Sequence, residues 1–73
     1  MITNIVIVFH DGSRETFKRI SKEEYGKALD ISYTRSETTV TIVENYVDAN
    51  TIVEHVFERA HIRNVAITTK QEA

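Results

Sequence analysis

The sequence predicts an α+β fold: a small, mostly antiparallel sheet with two helices packed on one face, in the order ββαββαβ. Three observations carry that expectation. The run Ile5-Val6-Ile7-Val8-Phe9 is β-branched or aromatic throughout, and Asp11-Gly12 follows it as a hairpin turn would. Ser21-Lys22-Glu23-Glu24 has the form of a capping box at a helix start. Ile52, Val53, Val56, Phe57 and Ala60 recur at the spacing of one helical face.

Taken in order, residues 2–9 and 13–19 read as a strand pair around His10-Asp11-Gly12-Ser13. A two-residue turn would put Phe17 opposite Val6, whereas a three-residue loop with a left-handed Gly12 puts it opposite Ile5. The second register is preferred, because it gathers Ile5, Ile7 and Phe17 on one face. Ser21 can then cap the amide of Glu24, with Ile20 and Tyr25 as a hydrophobic staple, and a helix of about two turns should bury Tyr25, Ala28 and Leu29. Gly26 weakens that helix by about 1 kcal/mol relative to alanine.

Residues 31–34 and 38–44 form a second predicted hairpin around Arg35-Ser36-Glu37, where Val40 and Ile42 alternate with threonines. The second helix is expected over 49–60, with Asp48 or Asn50 as its N-cap and Glu54, His55, Glu58 and Arg59 on its solvated side. A last strand, Ile62 to Thr69, should return beside the Ile5–Phe9 run with Val65 and Ile67 on one side, leaving Lys70–Ala73 frayed.

The totals narrow the function classes. Seventy-three residues amount to one domain, 1–73, with no room for a second core. The absence of cysteine removes disulfides and thiolate metal sites, and fits a cytoplasmic protein. No apolar run is long enough to span a bilayer, so no membrane partner is expected. The net charge of −2 hides an asymmetry: residues 1–36 carry six Lys/Arg against five Asp/Glu, and 37–73 carry three against six.

No chemistry-bearing motif stands out. His55 and His61 are six apart, which does not bring two imidazoles together on a helix, so no metal is expected. The two glycines lie fourteen apart, too far to build a phosphate-cradling loop or a nucleophile elbow, and neither catalysis nor a cofactor is expected. What remains is an outer surface. Arg14, Thr16 and Lys18 alternate onto one face of the second strand, with Arg19 and Lys22 close by. These five are the candidate contact residues. The expected function is non-enzymatic: a regulator or adaptor that binds a protein partner, of the kind phages and mobile elements use to inhibit a host enzyme such as RNA polymerase or a nuclease. Nucleic acid lying along the basic strand is the alternative, and a homodimer is a third arrangement.

Overall fold

The computed structural model describes residues 1–71, without the side chains of Glu24 and Tyr25, and it is all-β. The described residues form six strands: β1 (Ile2–Phe9), β2 (Arg14–Lys18), β3 (Leu29–Arg35), β4 (Thr39–Tyr46), β5 (Thr51–Glu58) and β6 (Ile62–Thr69). They form two three-stranded antiparallel sheets, β2-β1-β6 and β3-β4-β5. Every paired neighbour is also a sequence neighbour, except that β6 returns to close on β1.

The first hairpin takes the three-residue loop. Gly12 sits at φ +90°, its N–H donates to the Phe9 carbonyl (3.0 Å), and Ile5 stands opposite Phe17. Ile5, Ile7 and Phe17 therefore face inward together, as expected. The second sheet supplies Ile31, Val40 and Ile42 to the same core. Ile5, Ile7 and Ile42 are fully buried. Across the layers the Phe9 and Phe57 rings lie 5.6 Å apart, and Phe17 lies 5.0 Å from the His55 ring. The last strand does flank the Ile5–Phe9 run, antiparallel to it, and β1 is the central strand of its sheet.

The α+β expectation is overturned at both helices. The first is a single turn, Lys22–Tyr25, with no side-chain cap from Ser21. Gly26 ends it in the left-handed region (φ 72°), its N–H returning to the Lys22 carbonyl. Leu29 is buried, but as part of β3, where it exchanges two backbone hydrogen bonds with Ile20. The capping and staple roles of Glu24 and Tyr25 lie outside the described residues.

The second predicted helix is strand β5. Its entry is a tight reversal, the 3₁₀ turn Val47–Ala49 followed by Asn50 at φ 51°. Thr51, Ile52, Val53 and Val56 are β-branched and prefer extended backbone. Tertiary demand decides the matter: β4 carries Val40 and Ile42 to the core, and pairing with β5 brings Phe57 opposite Val40 and His55 opposite Ile42. Asp48 caps no helix; its Oδ2 accepts the Ala28 N–H (3.0 Å). Lys70 is held too, since its N–H donates to the Met1 carbonyl (2.9 Å).

Candidate interaction surface

The two ends of the first hairpin fix which way β2 presents its backbone. Phe9 N–H donates to Ser13 O and Arg19 N–H to Thr3 O, both at 2.9 Å. Antiparallel alternation then directs the odd-numbered peptide groups of β2 toward β1, and those of Arg14, Thr16 and Lys18 off the free edge. Their side chains lie on the outward face and are exposed, beside half-buried Val6 and Val8 of β1. Among the described residues neither Arg14 nor Lys18 has an acidic partner within ion-pair reach.

The other two predicted contact residues are engaged inside the molecule. Arg19 Nε donates to Asp30 Oδ1 (3.1 Å), and Lys22 Nζ stands 3.8 Å from Asp48 Oδ1. Both pins tie the connector between the sheets to the second sheet. Exposed pairs of this kind contribute about 0–1 kcal/mol each. The structure thus brings together Arg14, Thr16 and Lys18 and sets Arg19 and Lys22 apart.

A second surface escaped the sequence reading because the helix prediction lay over it. Arg59 N–H donates to Thr38 O (2.9 Å), so the same alternation aims the peptide groups of Ile52, Glu54, Val56 and Glu58 off the free edge of β5. Their side chains also face outward. Ile52 and Val56 are 63% and 61% exposed, high for aliphatic residues within a strand. The density of β-branched residues in 51–56 was the signal that could have revealed this edge.

The histidines do not converge. His55 faces inward rather than to solvent, its Nε2 against Glu44 Oε1. Glu44 also accepts from the Tyr46 hydroxyl (3.3 Å), and its charge pushes the Tyr46 phenol above its ordinary value. His61 meets Glu58 Oε2 at 3.1 Å in the 3₁₀ turn Arg59–His61, not at the end of a helix. Among the described residues no three His, Asp or Glu side chains are grouped to hold a metal ion, and no helix is long and apolar enough to cross a membrane.

One further concavity lies between β3 and β6, an open cleft of about 470 Å³. Arg35, Arg59 and Arg63 stand around Tyr33, Ile62 and Val65, with no acidic residue in its lining among the described residues. Arg59 is partly committed there, since its Nη1 donates to the Ser36 carbonyl (2.8 Å). Comparison with protein-family models, curated proteins and solved structures finds no match to this chain.

Proposed function

We propose that the protein is a non-enzymatic binding module that receives an acidic, extended segment of a protein partner along β2. The observation that carries this reading is the coincidence, on one short strand, of an unpaired backbone edge with two cations that have no ion-pair partner among the described residues. Edge peptide groups supply hydrogen bonds to an added strand, and the alternating side chains select its charge. Arg14 and Lys18 set orientation and association rate, while Val6 and Val8 offer apolar area beside them. Such a module works stoichiometrically, as a regulator or inhibitor docked on a larger enzyme does, and a cysteine-free chain suits a cytoplasmic setting.

A second reading has its own observation, the acid-free arginine cleft between β3 and β6, which suits a phosphate backbone. One titration separates the two. A fluorescent peptide alternating glutamate and valine, and labelled mixed-sequence DNA and RNA, are followed by anisotropy at two ionic strengths. The first reading expects the peptide to bind and Arg14→Glu with Lys18→Glu to weaken it at least about tenfold at low salt. Nucleic acid binding that survives that substitution and falls steeply with salt would replace it. Because Arg19 is paired with Asp30, the reversal is placed at Arg14 and not at Arg19.

A further inference from the structure

We infer that the acidic strand received by β2 is β5 of a second copy of this chain, so that the protein closes into a symmetric dimer; this rests on the reading of β2 as a receiving edge. Three features of the two edges agree. First, the edge-directed residues match. On β2 they run Arg14, Thr16, Lys18, and on β5 they run Glu54, Val56, Glu58, base–threonine–base against acid–valine–acid. Antiparallel pairing sets Arg14 opposite the partner's Glu58, Thr16 opposite the partner's Val56, and Lys18 opposite the partner's Glu54. All three are hydrogen-bonded positions in both strands, so backbone and side-chain register coincide.

Second, like charges forbid the competing arrangements. Two copies of β2 pairing with each other would oppose cations, and two copies of β5 in the matching register would oppose carboxylates. Charged edge residues are how sheets avoid such pairing. Here the guards on one edge are the complement of those on the other. Glu58 also meets His61 at 3.1 Å, but that pair joins side chains 74% and 71% exposed, and such surface pairs hold only weakly.

Third, the geometry permits closure. Phe17 of β2 packs against His55 and Phe57 of β5 across the interior, and the edge of β2 meets β3 only beyond the strand's end, at Ile20 and Leu29, so Arg14–Lys18 and the edge of β5 both stay open to a second copy. A two-fold axis between the copies would let each give its β5 to the other's β2. Both sheets then become six-stranded, continuous through the interface. Val56 gains cross-strand cover where it is now 61% exposed.

The test uses two full-length variants. One carries Glu54→Lys and Glu58→Lys; the other carries Arg14→Glu and Lys18→Glu. All four positions are exposed, so each variant should fold with the parent's far-ultraviolet circular dichroism. By sedimentation velocity across a concentration series, the parent is expected to be dimeric. Each variant alone should dimerise at least about tenfold more weakly at low salt. Mixed in equal amounts, the two should form a 1:1 heterodimer, because every edge then meets its opposite charge. A parent that stays monomeric throughout, or a dimer that neither variant weakens, overturns the inference. A monomeric parent that still binds the glutamate–valine peptide leaves the β2 reading standing without it. One that binds neither removes both.

Discussion

At Asp11 a single carboxylate organises the first reversal of the chain. Its Oδ1 accepts from the Ser13 amide at 2.8 Å and from the Ser13 hydroxyl at 2.6 Å. The hydroxyl bond, with the amide bond behind it, holds the carboxyl below its ordinary value. A depressed folded-state value means that the ionised carboxylate stabilises the fold, fully above the usual carboxylate range and progressively less as pH falls through the folded-state value. Asp11→Ala should therefore lower the urea midpoint at neutral pH, and the gap to the parent should close on acidification. A gap independent of pH would mean that the ionised form contributes nothing. This much was legible beforehand: Asp11-Gly12 announced the turn, and gathering Ile5, Ile7 and Phe17 chose between its two registers. The companion reversal at Asn50 was not, because asparagine at φ 51° looks in sequence like a helix cap.

Element identity is where the sequence misled, and the residues of β5 explain how. Ile52, Val53, Val56 and Phe57 satisfy a helical face, and a helix would bury them all on one side. The strand instead divides them: Phe57 packs on the core, Val53 shares its face but stays 37% exposed, and Ile52 and Val56 point outward, which no isolated chain would choose for burial alone. What selects it is the second edge of β4, whose peptide groups need a partner beside the fully buried Ile42. The same blind spot hid the acidic edge, while the β2 stripe was found because β2 was read correctly. Proline substitution gives a test at this scale. His55 directs its N–H into the ladder with β4, so His55→Pro should abolish cooperative unfolding. Val56 directs its N–H off the edge, so Val56→Pro should retain the β-sheet circular dichroism while costing association. Equal loss of structure in both would refute the assigned alternation.

For the whole molecule, the two sheets differ in how the chain builds them. Sheet β3-β4-β5 is a continuous meander, whereas β2-β1-β6 draws its strands from both ends. Met1 and Lys70 exchange hydrogen bonds of 3.0 and 2.9 Å, so those two residues stand side by side. A permutant that begins at Lys27, ends at Gly26 and joins the old ends by a short linker would make both sheets contiguous in sequence. Lower contact order predicts faster folding for it, read from the refolding limb of a chevron plot, with the parent's circular dichroism retained. Unchanged refolding would show that the β1–β6 closure is not the slow event.

That closure has a consequence during synthesis. Ile5 and Ile7 are made well before β6, yet one flank of their strand stays bare until Ile62–Thr69 follows. Until β6 is made the nascent chain therefore carries an open, sticky β-ribbon, and its passage to the folded state depends on how promptly those eight residues follow.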